Sequence, residues 1–79
     1  MKTISLDQSI YQITTLYPEL KNILHDLGFK DIVKPGMLQT VGRMMTLRKG
    51  SMMRHIDIEI IKNQLRTHGF KIMEEYTNE

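Results

Sequence analysis

Two stretches of the chain stop in the same way. Leu24-His25-Asp26-Leu27-Gly28-Phe29-Lys30 and Leu65-Arg66-Thr67-His68-Gly69-Phe70-Lys71 share the pattern Leu-x-x-x-Gly-Phe-Lys. A glycine that takes a left-handed conformation, followed by a hydrophobe that folds back on the last turn, is what an amphipathic helix needs to end and pack. The repetition therefore constrains the fold to short helices joined at tight corners. Helix termination accounts for it more simply than ancestral duplication, and no function rests on it.

The apolar spacing before each corner agrees. Ser9 or Asp7 can cap a first helix carrying Ile10, Ile13, Leu16 and Tyr17 on one face. Pro18 ends that helix and suits the first turn of the next, where Leu20, Ile23, Leu24 and Leu27 form the stripe. Asp57 caps a later helix with Ile58, Ile61 and Leu65 inward. Beyond it, residues 71–76 admit a short extended segment, and Thr77-Asn78-Glu79 should fray.

The centre is less regular, because Gly36, Gly42 and Gly50 each weaken a helix. Leu38, Val41 and Met45 still recur at helical spacing, which predicts a helix from Pro35 to about Met44. Gly42 inside it suggests the close approach of another backbone. Thr46 can cap a further helix from Leu47 to about Arg54, interrupted by Gly50. The expected fold is all-α: a compact array of four or five short helices in one domain, 1–79, with its core at about 4–73.

Seventy-nine residues leave room for one core. A chain of this size buries only roughly 60% of its unfolded surface, so a partner or a second copy would add to a small folding margin, and homo-oligomerisation is compatible with it. With no cysteine in the chain, disulfide frameworks, thiolate nucleophiles and cysteine-ligated metal centres are excluded. No apolar run approaches a membrane span and Met1-Lys2-Thr3-Ile4 does not open a signal peptide, so the expected location is cytoplasmic.

Chemistry-bearing residues are sparse. His25, His55 and His68 lie in separate segments without metal-ligand spacing, and no serine or threonine has a histidine placed by spacing to activate it. We therefore expect no enzyme, no bound metal and no cofactor. His68 should serve free carbonyls at a helix end, and His25 should sit beside Asp26 on a helix surface.

The charge is uneven. Residues 30–55 hold six lysines and arginines against Asp31, a net +5 within a chain of net +2. The same segment holds five of seven methionines: Met37, Met44, Met45, Met52 and Met53. Methionine reads first as a gap-filler in a core, then as an adaptable contact surface, and last as a soft metal ligand. The basic residues, without an aromatic among them after Phe29, fit a solvated face or an acidic protein partner better than a nucleic acid. Weak nucleic-acid binding and a ligand or redox-cofactor role for Met and His side chains stay as alternatives. The candidates for partner contact are Met37, Thr40, Arg43, Met44 and Arg48.

The run Gly28-Phe29-Lys30-Asp31-Ile32-Val33-Lys34-Pro35-Gly36-Met37-Leu38, followed by Thr40-Val41-Gly42-Arg43, Thr46-Leu47, Gly50 and Ile56-Asp57-Ile58, resembles a family of small bacterial domains of unknown function over Ile4 to Ile72. Tyr17-Pro18-Glu19-Leu20 and residues 24–29 are similar to a broader group that includes the N-terminal domain of iron-sulfur-cluster repair proteins and the disulfide domain associated with hybrid-cluster proteins. In those relatives cysteines follow or replace part of the Gly-Phe corner, the place that Phe29, Lys30 and Asp31 occupy here, so their chemistry transfers to no residue of this chain. The resemblance implies an all-helical fold and association with haemerythrin-like or sensor-domain proteins, which makes a non-catalytic interaction or accessory module the expected function.

Overall fold

In a computed structural model, which describes residues 2–73, a strand opens the chain and a strand closes it. β1 (Lys2–Ser5) leads into α1 (Ile10–Leu16), α2 (Leu20–Leu27), α3 (Val41–Met44), α4 (Leu47–Met53) and α5 (Ile58–Thr67), and β2 (Phe70–Met73) returns beside β1. The two strands pair in parallel, with Lys2 opposite Phe70 and Ile4 opposite Ile72. Parallel strands need a long connection to bring the chain back to the same end, and the five helices form it.

The all-α expectation is thereby corrected to a small mixed α/β domain. The physical reason is length. Lys2-Thr3-Ile4-Ser5 and Phe70-Lys71-Ile72-Met73 each offer only four residues of alternation, too few to establish a period. Their buried members Ile4, Phe70 and Ile72 acquire an inner face only once the strands are paired. The extended segment expected over 71–76 begins at Phe70; residues 74–76 and the expected fraying of 77–79 lie outside the described residues.

The flanking helices follow the sequence closely. Ser9 Oγ accepts from the Gln12 N–H at 3.0 Å, and Asp57 Oδ1 accepts from the Glu59 N–H at 2.9 Å. At the end of α2 the Phe29 N–H bonds the Leu24 carbonyl and the Gly28 N–H that of His25, with Gly28 at φ +120°, a Schellman closure. Gly69 closes α5 at φ +89°. Phe70 then starts β2 and meets the ring of Tyr17 edge-on at 5.4 Å. One further corner was not legible: His55 takes φ +56° after α4, and the Ile56 N–H reaches back to the Ser51 carbonyl.

Ile10, Ile13, Leu20, Leu24, Leu47, Ile61 and Leu65 are sealed from solvent and meet Ile4, Leu6, Phe29 and Phe70 in one core. Leu16, expected on the inner face of α1, is 57% exposed; Thr14 is buried instead, its hydroxyl satisfied by the Ile10 carbonyl at 2.8 Å.

The predicted helix from Pro35 is also corrected. Lys34-Pro35-Gly36-Met37 is a turn closed by the Met37 N–H on the Lys34 carbonyl, with Gly36 at φ +92°. Proline second and a positive-φ glycine third is the chemistry of a type II turn, so Pro35 and Gly36 break the helix that Pro35 alone seemed to start. Helix begins only at Val41. No described helix is long and apolar enough to cross a membrane.

Candidate functional site

The one-turn helix α3 separates two surfaces. Gly42 is buried, with the Tyr11 backbone nitrogen of α1 3.6 Å from where its Cβ would sit, an ordinary contact distance. The tight approach lies elsewhere, at Gly50, where a Cβ would fall 2.5 Å from Phe29 Cε1. A larger residue there would displace the Phe29 ring, so the glycine that appeared to interrupt α4 is what seats α4 on the core.

On one side of α3 lies an apolar groove of about 190 Å³. Phe29, Ile32 and Gly50 are buried among its lining residues; Met37 and Met45 are half-buried, while Val41 and Met53 are exposed. Arg54 stands at the groove, 4.0 Å from Asp31. Lys49 precedes Met53 by one helical turn on α4 and Lys30 follows Phe29; both are exposed. The groove is thus methionine-rich, with Arg54 as the cation of its lining.

On the other side, the Arg43 guanidinium lies over the ring of Tyr11, 4.2 Å from its centroid, and its Nε donates to the Gln39 carbonyl at 2.8 Å. A cleft of about 410 Å³ runs between Arg43 and the α1 residues Ser9, Tyr11, Gln12, Thr15 and Leu16.

The five candidates from the sequence do not gather at one place. Met37 lines the groove; Arg43 faces the α1 cleft. Thr40 donates its hydroxyl to the Gly36 carbonyl at 2.8 Å. Met44 is 77% exposed. Arg48 is held by Asp7, its Nε donating to Oδ1 at 2.8 Å, while its backbone N–H bonds the Leu6 carbonyl. Of the groove's other walls, the sequence reading places Val41 and Met45 in the core stripe, counts Met53 among the central methionines and Arg54 in the basic segment without naming either as a contact candidate, and gives Ile32 no role. The available signal was the helical spacing of Gly50, Met53 and Arg54, a small residue beside a thioether and a cation.

His25 and His68 take the positions expected of them at helix surfaces. His68 Nδ1 lies 2.9 Å from the Gln64 carbonyl, and His25 Nδ1 lies 3.4 Å from Asp26. Among the described residues no three His, Asp or Glu side chains come together as a metal site. The Glu19 carboxyl is held below its usual range, first by the Lys2 ammonium that hydrogen-bonds it and then by a backbone N–H.

Residues 4–62 match the model of a family described as a domain of unknown function, DUF1858. The crystal structure of the conserved domain protein from Streptococcus pneumoniae TIGR4 is similar, with a TM-score of 0.88 at 29% identity, 92% of each chain being covered. No curated protein matches the chain.

Proposed function

We propose, from the premise that the chain belongs to the DUF1858 family of domains of unknown function, that it is a non-catalytic docking module whose methionine groove receives an acidic amphipathic segment of a partner protein. The observation that carries this reading is the groove itself. Phe29, Ile32, Met37, Met45 and Met53 offer a flexible apolar trough, which suits side chains of varied shape. Arg54 stands in its lining, 4.0 Å from Asp31, and residues 30–55 set six basic residues, the exposed Lys30 and Lys49 among them, against that one acid. An occupant with apolar residues on one face and carboxylates beside them matches both properties.

The partner class is the one implied by the family resemblance, a haemerythrin-like or sensor-domain protein in the cytoplasm. A wider kinship with the N-terminal domain of iron-sulfur-cluster repair proteins is part of the same reading, without their cysteine chemistry. Phe29, at the place of those cysteines, is a core residue here.

The test is site-directed photocrosslinking. A crosslinking residue at Met53 should capture a partner through a segment that peptide mapping finds acidic and amphipathic, whereas the same residue at Asn63 on exposed α5 should not. Val41→Glu, at an exposed position of the groove lining and with the crosslinking residue kept at Met53, should abolish that capture in a folded domain. Equal capture from both positions, or captured segments without acidic residues, overturns the reading.

A further inference from the structure

The α1 cleft is set apart from the groove by its polar chemistry. Arg43 is fixed in two ways, by stacking on Tyr11 and by the Nε bond to Gln39, while its terminal nitrogens make no hydrogen bond to a described residue. A guanidinium held so presents the edge of its fork already oriented, which is the geometry for bidentate capture of a carboxylate or phosphate. Several other cations face acids: Arg48 is paired with Asp7, Lys62 with Glu59 and Lys34 with Asp31.

The walls complete the pattern. A second cleft of about 290 Å³ shares Tyr11 and Thr15 with the first and is lined by Lys21, so two cations flank one surface of α1. Among the described residues, no aspartate or glutamate lines either cleft. The neutral polar residues are able to donate: the Tyr11 hydroxyl, the Gln12 amide, and the Ser9 hydroxyl, whose oxygen accepts from Gln12 N and whose proton is left over. Leu16, the stripe residue that the core leaves 57% exposed, supplies the apolar part of the wall.

We infer that this cleft is a binding site for an oxyanion on an apolar body, a phosphate monoester or a carboxylate, with Arg43 as the bidentate anchor and Leu16 as the apolar contact. The site is independent of the methionine groove, because α3 presents Val41 to one and Arg43 to the other.

Amide chemical shifts of the ¹⁵N-labelled chain during titration with phenyl phosphate, benzoate and inorganic phosphate test this. Saturable shifts should centre on residues 9–16 and 43, and should weaken as ionic strength rises. Tighter binding of phenyl phosphate identifies the phosphate source, and tighter binding of benzoate the carboxylate source. Inorganic phosphate should bind least, having no apolar body; equal binding would remove Leu16 from the site and overturn that part of the inference. Arg43→Gln should weaken binding by about tenfold or more while the remaining spectrum stays folded. Leu16→Glu, at an exposed position, should do the same by placing a carboxylate in the cleft, and Met53→Glu should leave binding unchanged. Absence of saturable shifts with all three probes, or shifts that persist in both α1-cleft variants, overturns the inference.

Discussion

Gly50 of α4 lies against the ring of Phe29, so close that a Cβ would come within 2.5 Å of Phe29 Cε1. The ring is buried and also lines the methionine groove, so a shift away from Gly50 would disturb the packing there. Gly50→Ala sets two effects against each other: about 1 kcal/mol gained from helix propensity, and about 1–3 kcal/mol lost by overpacking a core. The overlap is large and its partner confined, so overpacking wins. The urea midpoint should fall, with the slope unchanged; a rise in midpoint would show that the ring yields freely.

The paired strands should matter as much as the helices. Ile4, Leu24 and Ile61 are all essentially sealed from solvent. Truncation of each to alanine should cost about 2–5 kcal/mol, enough to unfold much of so small a domain. Leu16→Ala, at an exposed position, should cost less than about 0.5 kcal/mol. Denaturant melts of the four variants check this, and an Ile4→Ala domain as stable as Leu16→Ala would remove β1 from the core.

Arg43 is anchored by a ring and a carbonyl, with Asp31 turned to Lys34 and Arg54 and with Asp57 capping α5. Reversing its charge therefore strands no buried carboxylate. Arg43→Glu should cost about 0.5–1.5 kcal/mol through loss of the stacking contact, and the fold should survive. Thermal melting measures it; a loss of several kcal/mol would show that Arg43 is a structural keystone.

Lys2 of β1 hydrogen-bonds Glu19 at the head of α2, and the Glu19 carboxyl titrates below its ordinary value of 4.5. A folded pKa lowered in this way makes a contribution to stability that is whole above the unfolded value and is lost as pH falls through the folded one. Both side chains are close to half exposed and solvent screens the pair, so the titration itself is the useful readout. In Lys2→Met the Glu19 carboxyl should titrate higher, nearer the ordinary value, by carboxyl-carbon NMR. An unchanged titration would assign the shift to the backbone N–H alone.

Each helix that is legible in the sequence carries its own information. Ser9, Thr46 and Asp57 cap as side-chain chemistry requires, and Gly28 and Gly69 stop their helices because few other residues tolerate their backbone angles. The Pro35-Gly36 pair was equally local, but its two meanings, helix start and type II turn, differ only in whether Gly36 goes left-handed. The candidate site was harder to read. Met37 and Arg43 are six residues apart, yet the backbone of α3 turns them to different surfaces, and Met53 joins Met37 only through the packing of α4 on Phe29.

By itself, then, the amino-acid order determined the caps of α1, α4 and α5 and the glycine corners that end α2 and α5, because those depend on neighbours within a few residues. Only the tertiary structure decided that Lys2–Ser5 and Phe70–Met73 are strands, since each completes its hydrogen bonds on the other from the far end of the chain. It also decided which methionines form a groove and which arginine is left facing a cleft. Burial and ion pairing are properties of whatever surface the fold brings opposite a residue, and no local pattern encodes that surface.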